Sequence, residues 1–185
     1  MFALGCFVFI QLVGARDARA GSPRKVEGFE VLGTLGYGIA VPDVVYANKQ
    51  FDPFGVTVGL DLGYTLAFGL RLGADASHGF GRTIEQTRMS GEVVTTHASS
   101  TTFGGSVGYD LLLSSFRLRG AADTGFLVWY DVAGSAAFYI GPKIALIWQY
   151  RAFELGLQSK YWVTSADGEG NSGVVQVALM SGARF

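Results

Sequence analysis

The sequence predicts an all-β fold, an eight-stranded antiparallel up-and-down transmembrane β-barrel, from three observations. Apolar and polar side chains alternate with a period of two through eight successive segments. The connections between those segments alternate between long and short. Hydrophobic residues make up 49% of the 185 residues and mean hydropathy is +0.32, yet no apolar run reaches the roughly 18 residues of a membrane helix. Lipid cannot satisfy free backbone groups, so a chain that crosses a membrane without helices must close its strands into a barrel. The 27 glycines are about twice the usual share of roughly 7%.

The alternation is clearest over residues 54–78. Phe54, Val56, Val58, Leu60, Leu62 and Tyr64 fall on one face, with Gly55, Thr57, Gly59, Asp61 and Gly63 on the other. After Thr65, Leu66 and Ala67 the pattern restarts, with Phe68, Leu70, Leu72, Ala74, Ala76 and His78 against Gly69, Arg71, Gly73, Asp75 and Ser77. Side chains on a strand alternate faces, so this is a hairpin with one apolar face and one face of glycine and charge. Each arm has about the 9–11 residues that a tilted strand needs to span a bilayer.

The hairpin supplies the second and third predicted strands; the first covers 27–40, with Phe29, Val31, Leu35, Tyr37 and Ile39 opposite Glu30, Thr34, Gly36 and Gly38. The fourth covers 101–111, with Phe103, Val107, Tyr109 and Leu111 apolar. The fifth, 116–130, sets Phe116, Leu118, Ala122, Phe126 and Val128 against Arg117, Arg119, Asp123 and Gly125. The sixth, 136–148, sets Phe138, Ile140, Ile144, Leu146 and Trp148 against Tyr139, Gly141 and Lys143, and Pro142 predicts a bulge there. The seventh, 153–163, opposes Leu155, Leu157 and Tyr161 to Glu154, Gly156, Gln158 and Lys160; the eighth is 173–185. Long connections are 41–53, 79–98, 131–135 and 164–172, and short ones 65–67, 112–115 and 149–152.

An eight-stranded barrel has an interior that side chains fill. Turning the apolar face inward would overfill it and leave an outer surface of glycine. The apolar face therefore meets lipid, with girdles of Tyr64, Phe68, Phe116, Trp148, Phe153 and Phe185 at the short-turn end and of Tyr37, Phe54, Phe103, Phe138 and Tyr161 at the other. The polar face then carries Glu30, Asp61, Asp75, Asp110, Asp123 and Glu154 against Arg71, Arg117, Arg119, Lys143, Lys160 and Arg184. Hairpin registers that place Tyr64 opposite Phe68, Leu111 opposite Phe116 and Tyr130 opposite Ala136 pair Asp61 with Arg71, Asp110 with Arg117 and Asp123 with Lys143. A filled polar core is expected, since a buried charge needs a partner.

Residues 2–14 form a short apolar block, followed by Ala18-Arg19-Ala20. This is the pattern of a signal peptide over 1–20, cleaved near Ala20, leaving a tail over 21–25 and the barrel over 26–185. Cys6, the one cysteine, falls in the removed segment, so disulfide and thiol chemistry are excluded from the mature chain. Without Arg16, Asp17 and Arg19 the basic residues fall from 14 to 12 and the acidic from 15 to 14, a net charge of −2 that points to no nucleic acid. Two histidines without ligand spacing give no metal site, and no cofactor motif is present.

The apolar leader, eight amphipathic strands, aromatic girdles and closing Phe185 resemble the small outer-membrane β-barrel family, the OmpA-like and OmpX-like transmembrane domains. The resemblance covers about residues 26–185. It implies the outer membrane of a Gram-negative bacterium, contact with outer-membrane lipid and lipopolysaccharide, and reading of the last strand and Phe185 by the barrel-assembly machinery. Ala183 stands where an aromatic is common, which weakens that assembly signal. The larger members carry a peptidoglycan-binding domain after the barrel, which is not expected here. Function is expected to be non-enzymatic, structural or a surface interaction, with a protein partner at residues 79–98, whose hairpin edge offers a strand for β-augmentation. One alternative is a lipid-modifying enzyme: some barrels of this type that deacylate lipid A use a His-x-Ser pair, which His97 and Ser99 match, although no carboxylate lies nearby to orient the histidine. Another is a narrow channel for small solutes.

Overall fold

The computed structural model describes residues 27–41, 44–46, 49–51, 55–87, 93–130, 136–165 and 171–185. The expected signal peptide and tail, and Phe54 of the expected upper girdle, lie outside them. The described residues form ten strands: β1 (Gly28–Val41), β2 (Val44–Tyr46), β3 (Lys49–Phe51), β4 (Gly55–Thr65), β5 (Leu70–Thr87), β6 (Val93–Leu113), β7 (Phe116–Tyr130), β8 (Ala136–Tyr150), β9 (Phe153–Ser165) and β10 (Asn171–Arg184). β1 and β4 to β10 form a closed antiparallel barrel in sequence order, sealed by the pairing of β1 with β10. β2 and β3 make a separate two-stranded hairpin within the first long connection.

The faces are those expected from the alternation. Leu60, Leu72, Leu118, Ile144 and Leu157 are exposed, while Asp61, Arg71, Arg117, Lys143 and Gln158 beside them are buried. The exposed band is apolar around the whole wall, the surface of a barrel that stands in hydrocarbon. Its upper edge includes a row of Phe103, Phe126 and Phe138, with successive ring centroids 6.0 Å apart. Phe80 and Tyr130 above it, and Phe29, Tyr109 and Tyr150 toward the short turns, extend the girdles beyond the expected residues.

The registers differ from those expected, always by an even number of residues. β4 runs on to Thr65, which lies opposite Arg71, and the chain reverses over 66–69, closed by Gly69 at φ +97°. Phe68 is therefore at a turn tip rather than on a strand, and Asp61 lies opposite Asp75, not Arg71. A two-residue turn at Ser114 and Ser115, with Ser114 at φ 56°, puts Leu113 opposite Phe116 and Asp110 opposite Arg119. Val128 pairs with Ala136, so Asp123 faces Gly141 rather than Lys143. An odd slip would have turned every side chain to the other face; an even one leaves inside and outside unchanged.

Pro142 makes no bulge. It pairs with Ala122 on β7, and its ring removes a donor only on the β9 side, where the ladder skips from Ile140–Val163 to Lys143–Lys160 without a change of register. The irregularity is instead between Phe80 and Thr83, where β5 shifts by one residue against β6. Above it, β5 and β6 continue only with each other, from Thr83–His97 to Thr87–Val93. Their 18 and 21 residues exceed the 11–15 of the other barrel strands. Much of the segment expected as a loop is thus a two-stranded ribbon rising beyond the wall.

Candidate functional site: the charged interior

All twelve charged residues assigned to the polar face, six acidic and six basic, point into the lumen, and none is more than 8% exposed. Glu30 on β1 is the centre of the half nearest the short turns. Its Oε1 accepts from Arg71 Nε at 2.7 Å and is ion-paired with Arg119 Nη2 at 2.5 Å, and its Oε2 accepts from Arg117 Nη2 at 2.7 Å. Arg119 also grips Asp110 through Nε at 2.8 Å and Nη2 at 3.0 Å. Arg117 reaches Glu154 at 2.9 Å and Asp110 at 3.4 Å, and Arg184 stands 3.8 Å from Glu154. Thr65, expected in a turn, ends β4 facing inward and donates to Asp110 at 3.2 Å.

Asp61 links this half to the next, accepting from both Arg71 and Lys143. Lys143 also lies 3.3 Å from Asp75, and Lys160 bridges Asp75 at 2.8 Å and Asp123 at 2.9 Å. The wall places like charges side by side, Asp61 with Asp75 and Lys143 with Lys160. Such neighbours repel. They are reconciled across the lumen, where the acidic pair on β4 and β5 meets the basic pair on β8 and β9. Neutralisation therefore runs through the barrel rather than along its hairpins.

Small residues make room for these side chains. A Cβ at Gly63 would lie 2.2 Å from Arg71 Nη2, and one at Gly73 would lie 2.2 Å from Nη1 and 2.7 Å from Ser106 Oγ, the group to which Nη1 donates. The guanidinium is slotted between two bare backbones. Gly73→Ala is expected to cost about 1–3 kcal/mol of unfolding free energy through overpacking. Gly120→Ala, on the lipid face where nothing lies within 4 Å of the new methyl, is expected to stay within about 0.5 kcal/mol. Urea unfolding in lipid vesicles measures both, and equal effects would dissociate the glycines from Arg71.

The interior is not charged throughout. Leu32, Ala145, Ile147 and Met180 form an inward apolar cluster, and above the charges Tyr139 and Trp162 pack with ring centroids 5.0 Å apart. Ser77 and Thr102 share a hydrogen bond of 2.7 Å, and Gln176 donates to Thr57 at 2.7 Å. Thr34, Ser77, Gln158 and Gln176 line a small polar recess that rests on Asp75 and Lys160.

Phe185 is exposed and exchanges two backbone hydrogen bonds with Phe29, at 3.2 and 2.8 Å, where the barrel closes. Ser99 is half-buried on β6 opposite Phe80 and Tyr130. His97 pairs through its backbone with Thr83, and its side chain lies outside the described residues. His78 bonds Thr101 Oγ1 through Nδ1 at 3.0 Å, with the Phe80 ring edge-on at 4.7 Å. Among the described residues no group of three or more His, Cys, Asp or Glu side chains has the arrangement to hold a metal ion.

The fold and this interior define a class by architecture, the small closed eight-stranded β-barrel with a charged, filled lumen. Among solved structures, Neisserial surface protein A aligns with a TM-score of 0.64 at 14% identity, over 85% of this chain and 97% of that one. Ail, the attachment invasion locus protein of Yersinia pestis in complex with sucrose octasulfate, aligns with a TM-score of 0.51 at 15% identity, over 86% and 99%. The outer-membrane enzyme PagL gives a TM-score of 0.50 at 13% identity, over 84% and 99%. No protein-family model and no curated protein sequence matches the chain. The likeness is one of fold, and the same architecture serves a surface protein and an enzyme.

Proposed function

We propose that the protein is a non-enzymatic outer-membrane β-barrel of a Gram-negative bacterium, exported by residues 1–20, with a structural or surface-interaction role exercised through its extracellular loops. The observation that carries this reading is the lumen. Six carboxylates and six cations bind one another across it, a packing that supports a filled barrel over an open channel. Fold by itself decides little about activity, so recognition falls to the connections that leave the membrane. Among the described residues the β5–β6 ribbon is the longest of these. Its two strands pair with each other beyond the wall, and among the described residues no neighbour covers their outer edges. An uncovered edge is a template for a partner strand.

The reading predicts that the purified barrel is silent in a planar bilayer and leaves the mass spectrum of outer-membrane lipid unchanged. Photo-crosslinkers placed between residues 82 and 94 should capture a discrete partner at the cell surface. A steady conductance would establish a channel instead. A shift in lipid mass abolished by His97→Ala would establish the enzyme.

A further inference from the structure

Among the side chains described outside the lumen, two are charged, Glu27 and Arg151, both at the short-turn end. Glu27 accepts a hydrogen bond from the Tyr64 hydroxyl at 3.1 Å. Arg151 is different. It is exposed, its Cζ stands 5.5 Å from the centroid of the Tyr150 ring, and Tyr150 is stacked on Trp148 at 5.9 Å with the planes 13° apart. Among the described residues its guanidinium donates to no protein group and faces no carboxylate.

The turn holds this arrangement in place. Arg151 sits at φ 56°, a left-handed conformation unfavourable to any residue with a Cβ. Its carbonyl accepts from the Gln149 side chain at 3.5 Å, and the next carbonyl, of Ala152, accepts from Arg184 N at 2.8 Å. Trp148 and Tyr150 are exposed on the lipid face at the end of the apolar band, the level at which amphipathic rings meet headgroups. A planar five-donor cation resting on an aromatic face at that depth is matched to a phosphate.

We infer that Arg151, seated on Tyr150, binds the phosphate of an anionic phospholipid in the leaflet at the short-turn end. The inference rests on the transmembrane reading. Near an anionic surface one basic residue contributes a preference of about fivefold. The test is native mass spectrometry of the full chain, released from bilayers of equal phosphatidylglycerol and phosphatidylethanolamine. The wild-type protein should retain phosphatidylglycerol about fivefold over phosphatidylethanolamine. Arg151→Gln should abolish that preference, and Arg151→Lys, which keeps the charge but not the fork, should keep part of it. A wild-type protein without preference, or an Arg151→Gln variant with it intact, would overturn the site. Millimolar inorganic phosphate should leave the retained lipid in place; displacement would assign the site to free phosphate. All three proteins should show the heat-dependent gel shift of a closed barrel. Its loss in the wild type would count against the transmembrane reading rather than against Arg151.

Discussion

Glu30→Ala is expected to destabilise the barrel by about 3–5 kcal/mol, the cost of removing one partner from a buried ionic group. Glu30 contacts Arg71, Arg117 and Arg119, all within 2.7 Å, and alanine would leave three enclosed guanidinium groups short of a counter-charge. Glu30→Gln keeps the shape and loses the charge, so it should cost nearly as much. Combining Glu30→Gln with Arg71→Met should recover part of the loss, because a missing pair is tolerated better than a half-pair. Urea unfolding in lipid vesicles, read by the heat-dependent gel shift, gives the free energies. Strict additivity of the two single changes would show that Glu30 and Arg71 are energetically independent, against the geometry described above.

Ile144→Arg tests the opposite surface. Ile144 is 58% exposed near the middle of β8, opposite Gly120 and Ser159 on its neighbours. An arginine on the lipid face of a barrel costs about 2–4 kcal/mol at the bilayer midplane and about 0–1 near the interface. Ile144→Arg should therefore unfold at markedly lower urea than the wild type, while Leu113→Arg, at the edge of the band, should change little. On a barrel in water both substitutions would be exposed surface changes worth roughly 0.5 kcal/mol or less. Equal and small effects would remove the membrane from the account.

Period-two alternation was enough to assign faces, because side-chain direction depends only on parity along a strand. Parity alone therefore places Asp61, Arg71, Asp110 and Arg117 inside, without any knowledge of strand pairing. Their partners were a different matter. Hairpin spacing assigns Asp61 to Arg71, Asp110 to Arg117 and Asp123 to Lys143, whereas Gly69 and the tight turn at Ser114 and Ser115 shift the actual ladders. Asp61 does reach Arg71, and Arg117 does reach Asp110, but diagonally and by virtue of side-chain length. Asp123 binds Lys160, two strands away, and Lys143 crosses to Asp61 and Asp75. Contacts across a closed lumen join residues that local spacing cannot relate. The inward Leu32, Ile147 and Met180 are not legible for a related reason, since an apolar residue on a polar face is silent in the alternation of a single strand.

The reach of these contacts bears on how the molecule is put together. Glu30 lies on the first strand, and its counter-ions arrive 41, 87 and 89 residues later in the chain, with Arg71, Arg117 and Arg119. A growing sheet holding only the early hairpins would carry bare ions on the side that must eventually become dry. Partial assemblies are thus penalised until the last strand docks on the first, and the wall and its contents should appear together, in a single concerted closure.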